Sequence, residues 1–385
     1  MRKKYTRKKR LSFLGKVTLI LNLLAVIMLL VSYLSPFVDP RTFWPFAFFG
    51  LAYMPLLAVN VLFVLFWLFI RNRRTFALLS LMAILIGWQP LRAHIGLNQN
   101  RSAAQEQVEN QTADSLIAGT DLRVMTYNVH LFREFGQTKN EPDIKDQALE
   151  LIRKADPDLI CIQEYYTRKK GQHDISELFR NALGLKYQYI HSTAENEFES
   201  YGLAIFSKHP IVSSGHLPDF EQGVNSIIFA DVEKEGRVFR VYNVHLRSYG
   251  FQQEDYDFIA GPIEESMEKR ISSTKRIGNR LKKAFTLRSL QARSLRKHSE
   301  ENTKPVLIMG DFNDTPLSFA VNHVGKGMQN TFQKKAWGWG QTYNGDFPNF
   351  QIDYVLASPD FQVLRYEIIR EKLSDHYPVL VDLVL

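Results

Sequence analysis

The stretch Val306-Leu-Ile-Met-Gly-Asp-Phe-Asn-Asp-Thr-Pro316 decides the fold of this chain. It begins as a continuous apolar run, which predicts a buried strand, and it ends in a turn bounded by Gly310 and Pro316. Asp311 and Asn313 lie two positions apart, so in an extended backbone their side chains point to the same face. The stretch therefore predicts a strand that delivers a carboxylate and an amide together to one edge of a sheet.

Further apolar segments also carry polar side chains at or near their ends. In chain order they are Arg123–Asn128, Asp158–Glu164, Val241–Leu246 with His245, and Gln351–Leu356 with Asp353. The polar segment Ser374–Pro378 follows them and carries Asp375 and His376. Strand ends and the loops that follow them gather on one edge of a sheet, and functional residues concentrate there. We therefore expect these side chains to meet in one site.

Taken together, these segments closely resemble the endonuclease/exonuclease/phosphatase superfamily, the deoxyribonuclease-I-like metal-dependent phosphoesterases. The resemblance covers residues 122–385. It implies a four-layer α/β sandwich, in which two packed mixed β-sheets are flanked by helices. The many apolar strands and few helical patterns in this part of the chain favour the same architecture.

The apolar pattern also predicts individual elements. The predicted strands are Leu122–Asn128, Leu159–Gln163, Tyr187–His191, Gly202–Ser207, Ile211–Leu217, Asn225–Val232, Val238–Leu246, Pro305–Asp311, Gln351–Ala357, Phe361–Ile369 and Pro378–Leu383. The predicted helices are Pro142–Ala155, Ile175–Leu183 and a long one within Glu264–His298.

Hydrolysis of a phosphoester requires a cation that neutralises the phosphate oxygens, an oriented water and relief of charge on the leaving oxygen. Asn128, Glu164 and Asp375 are predicted to hold the cation, because carboxylate and amide oxygens suit a hard divalent ion. The expected ion is Mg²⁺, with Mn²⁺ as the alternative. Asn128 is also a candidate for binding the phosphate through its amide.

The resemblance implies roles for the remaining motif residues. Asp311 would orient or deprotonate the attacking water, and Asn313 would grip the scissile phosphate. Asp353 is the natural carboxylate to fix the tautomer of His376, as in an Asp–His pair. His245 would contact the phosphate or protonate the leaving group.

Other polar residues lie outside these motifs. Glu199 is the candidate carboxylate partner of His245, with Glu197 as the alternative. His130 and His209 have no motif partner and are expected to be structural.

Three features have structural interpretations. Cys161, the single cysteine, lies in an apolar run and is expected to be a packing residue. Asp314 is expected to form an Asx-type turn, and this role coexists with the functional roles of Asp311 and Asn313. The basic stretch Met267–His298 is interpreted as an amphipathic helix with a solvated basic face, with a phosphate- or headgroup-binding arm as the alternative.

The first 99 residues differ in composition from the rest. They contain 13 Lys and Arg residues against the single acid Asp39, whereas residues 100–385 contain 35 basic and 39 acidic residues. Apolar runs at about 11–34, 43–70 and 75–91 predict two or three transmembrane helices. The predicted organisation is a membrane anchor over 1–99, a polar linker over 100–120 and a catalytic domain over 121–385.

The distribution of positive charge predicts the orientation of this anchor. It places the N-terminus in the cytoplasm, the loop around Asp39 outside, and Arg71, Arg73 and Arg74 inside. If the third run crosses, the catalytic domain is extracytoplasmic, on the periplasmic side of a bacterium. If that run lies at the interface, the domain faces the cytoplasm. Few positive charges follow the run, which favours crossing.

The resulting hypothesis is a multi-pass, divalent-metal-dependent phosphodiesterase or phosphatase that acts on a lipid headgroup or a small phosphoester. An extracytoplasmic nuclease is the alternative. The acidic balance of residues 100–385 counts against it, because non-specific binding of nucleic acid normally requires a basic domain. A non-catalytic, membrane-anchored binding module is the third interpretation.

Overall fold

A computed structural model of the protein describes residues 11–98, 122–132, 144–169, 174–217, 225–260, 266–345 and 350–385. The predicted linker at 100–120 lies outside these residues, as do the basic residues before Leu11 and the predicted helix starts at Pro142 and Glu264. The described chain forms an N-terminal group of helices followed by an α/β sandwich.

The N-terminal group contains one long helix and several shorter ones. Its helices are α1 (Phe13–Ser32), α2 (Pro40–Phe43), α3 (Pro45–Leu51), α4 (Tyr53–Phe69), α5 (Ala77–Ile86) and α6 (Trp88–His94). Among the described residues, α1 alone is long and apolar enough to cross a membrane by itself. The pair α3 and α4 is bent by 62°, and the pair formed by Arg74–Ile86 and α6 is bent by 65°. Counting each bent pair as one span raises the number of candidate spans to three.

Polar side chains link these helices in the interior of the group. The Asn22 amide of α1 donates to the Ser80 hydroxyl of α5 at 2.6 Å, and the Trp67 indole of α4 donates to the Asn22 oxygen at 2.9 Å. The Asn60 amide of α4 donates to the carbonyl of Ala25. Because an unpaired polar group is costly in apolar surroundings, these bonds favour one packing of α1, α4 and α5.

The sandwich is built from two six-stranded sheets and one strand pair outside them. The strands are β1 (Ile95–Leu97), β2 (Leu122–Asn128), β3 (Leu159–Arg168), β4 (Tyr187–Glu195), β5 (Glu199–Ser207), β6 (Ile211–His216), β7 (Ser226–Lys234), β8 (Arg237–His245), β9 (Val306–Asp311), β10 (Gln329–Asn330), β11 (Trp337–Trp339), β12 (Asp353–Ala357), β13 (Gln362–Ile368) and β14 (Val379–Val384). The first sheet has the order β13-β14-β2-β3-β5-β4 and the second the order β10-β12-β9-β8-β7-β6.

Both large sheets are mixed in the same way. The central pairs β2/β3 and β8/β9 are parallel, and the other pairs are antiparallel. Strands β1 and β11 pair antiparallel with each other. Because β1 follows α6 directly, this pair joins the N-terminal helices to the sandwich.

The main core lies between the two sheets. Val124 and Cys161 from the first sheet pack there with Ile228, Val241 and Met309 from the second, all fully buried. Burial raises the pKa of the Cys161 thiol well above its ordinary value, which agrees with the predicted packing role.

Helices also cover the outer faces of the two sheets. The helices described after β2 are α7 (Ile144–Ala155), α8 (Ile175–Ala182), α9 (Gln253–Ala260), α10 (Met267–Glu300), α11 (Phe319–Val324) and α12 (Thr331–Lys335), of which α12 instead places Phe332 in the core between the sheets. Leu151 of α7 and Phe179 of α8 pack on the first sheet. Ala292 and Leu295 of α10 and Val321 of α11 pack on the second. The two mixed sheets with flanking helices confirm the predicted sandwich.

The predicted strands and long helices are present with shifted ends. The largest extensions are β3, which continues past Gln163 to Arg168, and β4, which continues past His191 to Glu195. The structure adds the short elements β1, β10, β11, α9, α11 and α12. Except for α9 they span two to six residues, which is too short for a periodic apolar pattern.

Candidate active site

The strand pairings bring the predicted site residues to one edge of the sandwich. Parallel pairing of β8 with β9 sets His245 beside Asp311, and antiparallel pairing of β12 with β9 sets Asp353 on its other side. Asn128 ends β2 in the facing sheet, beside the strand that carries Glu164. The two groups meet where the Asn128 amide donates to Asp311 Oδ2 at 3.1 Å.

Asp353 and His376 form a buried hydrogen-bonded pair. His376 Nδ1 lies 3.0 Å from Asp353 Oδ2 and 3.2 Å from Oδ1. The other ring nitrogen, Nε2, lies 3.8 Å from Asp311 Oδ2. The imidazole therefore bridges two carboxylates, and the one at Nδ1 fixes its orientation.

The pKa values of two members of this group are shifted in a consistent way. Burial alone would lower the pKa of His376, but the charges of Asp353 and Asp311 outweigh it and raise that pKa well above its ordinary value. Burial, together with the charge of Asp353, raises the pKa of Asp311 to about 6, although His376 and His245 act in the opposite direction. The geometry thus favours a protonated imidazole beside a carboxylate that takes up a proton readily.

Asp311 is the centre of the hydrogen-bond network. Its Oδ2 accepts from the side-chain amides of Asn128 and Asn313, each at 3.1 Å, and its Oδ1 accepts from the backbone N–H of Asn313 at 2.7 Å. His245 Nε2 lies 3.6 Å from the same Oδ2. These contacts hold the carboxylate in one orientation.

Three positions at the site have a positive φ. This backbone conformation determines where the side chains of the site point. Gly310 has φ +139°, and a Cβ there would lie 2.0 Å from the Val244 carbonyl oxygen, so only glycine fits beside β8. Asn313 has φ +52° and Glu164 has φ +51°. Glu164 lies where the register of β3 against β5 shifts, and such an irregularity redirects a side chain towards a site.

A second group of polar side chains lies next to this network. Asn128 Nδ2 lies 3.4 Å from Glu164 Oε1, and Asn128 Oδ1 accepts from the backbone N–H of His130 at 3.1 Å. The Nδ1 atom of His130 lies 3.6 Å from Glu164 Oε2 and 3.4 Å from Asp375 Oδ1. The Ser374 hydroxyl donates to the Asn128 carbonyl at 2.8 Å. Glu164, Asn128 and Asp375 thus lie close to one another.

A comparison with protein families agrees with this arrangement. The model of the endonuclease/exonuclease/phosphatase family matches residues 125–376, which include every site residue described above. The chain belongs to this family. Its members are phosphoester hydrolases and depend on divalent metal ions. A second family model, described as a domain of unknown function, matches residues 15–94.

Solved structures similar to this chain have low sequence identity to it. An endonuclease/exonuclease/phosphatase from Beutenbergia cavernae is 20% identical with a TM-score of 0.49, over 69% of this chain and 72% of that one. A mannosyl-6-phosphatase from Bacteroides thetaiotaomicron is 17% identical with a TM-score of 0.46, over 69% and 100%. A 3'-5' exonuclease from Neisseria meningitidis is 16% identical with a TM-score of 0.45, over 69% and 100%. No curated protein matches the chain.

The donor set fits the divalent ion on which members of the family depend. Glu164 and Asp375 are partly exposed carboxylates, and within the described residues their ion pairs are with histidines, not with lysine or arginine. Asn128 adds an amide oxygen. Oxygen donors without a competing cation suit Mg²⁺ or Mn²⁺. Atoms of Asp311, Asp353 and His376 also lie within 4.8 Å of one another. These three residues are buried, whereas Glu164 and Asp375 are partly exposed, so the first set is more accessible to an ion.

One predicted contact is not formed in the described structure. Glu199 lies at the start of β5, where it accepts a hydrogen bond from the Tyr166 hydroxyl at 2.8 Å. His245 instead approaches Asp311 and, at 3.9 Å, Glu164. Glu199 was assigned from its position in the sequence, and the pairing of β5 with β3 directs it towards Tyr166 and Arg168.

Two residues at the site had no functional role in the sequence analysis. His130, expected to be structural, contacts both candidate metal-binding carboxylates. Tyr343 forms a β-bridge with His376, and its ring packs edge-on against the imidazole at 5.2 Å between centroids. The position of His130 two residues after Asn128 was a usable signal. Tyr343 lies in an irregular segment and had none.

Proposed function

We propose that the protein is a membrane-anchored, divalent-metal-dependent phosphoester hydrolase whose substrate is a lipid or a small phosphoester. The observation that carries the proposal is the chain of contacts from Asp353 through His376 to Asp311, next to the oxygen donors Glu164, Asn128 and Asp375. This combination provides proton chemistry and cation binding at one edge of the sandwich.

In this proposal Asp311 and His376 have complementary roles. Asp311 accepts a proton from the attacking water, and its raised pKa suits a base that works near neutral pH. His376 is held by Asp353 through Nδ1 and donates from Nε2 to a phosphate oxygen. Asn313, Asn128 and His245 bind the phosphate in this proposal. A bound divalent cation would neutralise negative charge on the phosphate oxygens.

The contact between the loop after β9 (residues 312–318, the catalytic loop) and the N-terminal helices supports a substrate at the membrane surface. Leu317 is buried in one apolar cluster with Leu29 of α1 and Tyr53 of α4. Leu317 lies only four residues after Asn313, and four residues of extended chain span at most about 14 Å. The catalytic loop therefore lies close to helices that are candidates for crossing the membrane.

Exposed aromatic residues support the same orientation. Trp337 and Trp339 of β11 are about half exposed, and their strand pairs with β1, which directly follows α6. Trp88, at the start of α6, is also exposed. Tryptophan is enriched where proteins meet the membrane–water interface. We infer that this side of the sandwich rests on the bilayer.

We infer a multi-pass anchor with the catalytic domain outside the cytoplasm from the contacts of two segments and from the distribution of positive charge. The loop around Asp39 contacts Ser289 and Arg293 of the sandwich, and β1 pairs with β11, so both segments lie on the side of the catalytic domain. The turn between α4 and α5 carries Arg71, Arg73 and Arg74. Under the positive-inside rule this turn is cytoplasmic, and the opposite side is extracytoplasmic.

The test uses the full-length protein in detergent with matched phosphate substrates. Release of nitrophenol from bis-nitrophenyl phosphate and from the monoester, with Mg²⁺, Mn²⁺ or chelator, separates diesterase from phosphatase. Phospholipid in mixed micelles and duplex DNA are assayed beside them at several salt concentrations. We expect turnover of lipid or small ester with weak salt dependence. Cleavage of DNA alone, falling steeply with salt, would identify a nuclease instead.

A further inference from the structure

Arg288, in the middle of α10, is completely buried. The sequence predicts a solvated basic face for this helix, and for Arg288 that prediction is wrong. Its Nε lies 3.4 Å from Asp314 Oδ2, and its guanidinium stacks over the ring of Tyr249 at 4.4 Å and over that of Phe285 at 5.3 Å. Within the described residues, none of its nitrogens has a hydrogen-bond partner.

A buried charge of this kind is costly unless its surroundings compensate it. Here the compensation is one carboxylate and two aromatic faces. Apolar residues could fill the same space at least as stably, because a buried ion pair is a poor source of net stability. A specific geometric role is the simpler explanation for its presence.

Asp314 connects this charge to the catalytic loop. It directly follows Asn313, whose left-handed backbone aims the amide at Asp311. Its Oδ1 accepts from the backbone N–H of Thr315 at 3.1 Å, and its carbonyl accepts from the Tyr354 hydroxyl at 2.9 Å. A shift of the Asp314 carboxylate would therefore move the phosphate-binding amide.

The same turns of α10 hold two other segments. Gln291 Oε1 accepts from the backbone N–H of Arg247, two residues after His245. The Ser289 hydroxyl donates to Asp39 Oδ1 at 2.6 Å, in the loop between α1 and α2. One stretch of helix thus contacts the loop after β8, the loop after β9 and the N-terminal helices.

The N-terminal helices also enclose the guanidinium from behind. Phe285, on which Arg288 stacks, is in one buried cluster with Ala47 of α3 and Leu281 of α10. Phe48 of α3 meets the Phe285 ring edge-on at 5.2 Å. The apolar environment of Arg288 is therefore completed by the membrane-proximal part of the chain.

We propose that Arg288 is a positioning residue, which holds Asp314 and thereby sets Asn313 and Asp311 in the geometry that binds the phosphate. Nothing in this role requires Arg288 to touch the substrate. The proposal rests on the proposed function for its kinetic readout, so a second readout that does not involve turnover is included below.

The experiment compares four full-length proteins in detergent: wild type, Arg288→Met, the double variant Arg288→Met/Asp314→Leu, and Lys283→Met as an exposed control on the same helix. We measure kcat, KM and Tm. Arg288→Met should lower kcat by about 10²-fold, because a misplacement of about 1 Å has that effect. KM should change less. The double variant removes both buried charges, so it should regain Tm but stay low in kcat.

Deuterium exchange of the segment 312–318 gives the independent readout. Arg288→Met should speed exchange in this segment and leave exchange in strand β9 unchanged. Lys283→Met should leave exchange unchanged in both. If wild type lacks turnover but exchange responds in this way, the proposed function fails, whereas the inference that Arg288 holds the loop of Asp314 stands. Unchanged exchange, or a double variant that regains kcat together with Tm, would overturn the positioning role and leave Arg288 as a stabilising residue only.

Discussion

The carboxylate of Asp353 accepts the Nδ1 hydrogen of His376 at 3.0 Å, which turns the other nitrogen of that imidazole towards Asp311. Asp353 and Asp311 lie on neighbouring antiparallel strands in direct register, so the sheet itself sets the spacing of the two carboxylates around the imidazole. His376 arrives from a different segment, between β13 and β14. The site thus depends on the packing of the last strands as well as on the central pair.

Replacing Asp353 by asparagine should separate the orientation of the His376 imidazole from the binding of substrate. The amide keeps the shape but removes the charge that holds His376 protonated, so kcat should fall by about 10²-fold or more while KM changes little. The measurement is steady-state kinetics on bis-nitrophenyl phosphate. Asp360→Asn is the control, because Asp360 is exposed and bonds only Ser358 in the described structure. Equal losses in the two variants would contradict the assignment.

Glu164 and Asp375 should determine the affinity for the metal. Glu164→Gln and Asp375→Asn should each raise the Mg²⁺ concentration for half-maximal activity by at least about ten-fold, and chelator should abolish activity until metal is restored. Mn²⁺-induced shifts in Tm give the same comparison without turnover. Glu199→Gln is the matched control, since its carboxylate faces Tyr166. A control that lost metal affinity as strongly would refute the ligand assignment.

Replacing either of two glycines by alanine should change the free energy of unfolding, in opposite directions. At Gly310 a Cβ would lie 2.0 Å from the Val244 carbonyl, and φ is +139°, so Gly310→Ala should lower the free energy of unfolding by several kcal/mol. Gly278 lies within α10 with open space around its Cα, so Gly278→Ala should raise it by roughly 0.5–1 kcal/mol. Chemical denaturation of both variants checks this. A tolerated Gly310→Ala would mean that β8 and β9 are not packed this closely.

The contact of the Asp39 loop with α10 should depend on pH in a defined way. Burial would raise the pKa of Asp39, but hydrogen bonds from Arg41, Ser289 and Arg293 outweigh burial and hold that pKa well below its usual range. A lowered folded-state pKa stabilises the fold above the unfolded value of about 4, and this stabilisation is lost as pH falls towards the folded-state pKa.

The variant Asp39→Asn tests this dependence. The Tm difference between wild type and Asp39→Asn should therefore be constant from about pH 5 to 8 and shrink below about pH 4. Exposed Asp146 on α7 provides the control variant Asp146→Asn, for which we expect almost no difference. A difference for Asp39→Asn that persisted unchanged into acid would argue against the ion pair.

The sequence was sufficient for the parts of the fold that depend on regular patterns. Alternating and continuous apolar runs identified β2, β8 and β9, and the residues at their ends identified Asn128, His245 and Asp311. Tertiary pairing decided what the patterns could not. The partner of His245 depends on which strand lies beside β8. The burial of Arg288 depends on Tyr249 and on α3, which lie outside α10, so the apolar period of that helix could not predict it.

The direct test of the account is hydrolysis of bis-nitrophenyl phosphate by the full-length protein with Mg²⁺, compared with His376→Ala and with His209→Ala. His209 follows β5 near the start of β3, at the end of the sheet away from Glu164. We expect chelator-sensitive turnover in wild type and in His209→Ala, and a loss of about 10²-fold or more in His376→Ala. A folded wild-type protein inactive with Mg²⁺ and Mn²⁺ on every ester, or one whose activity survives His376→Ala, would contradict the account.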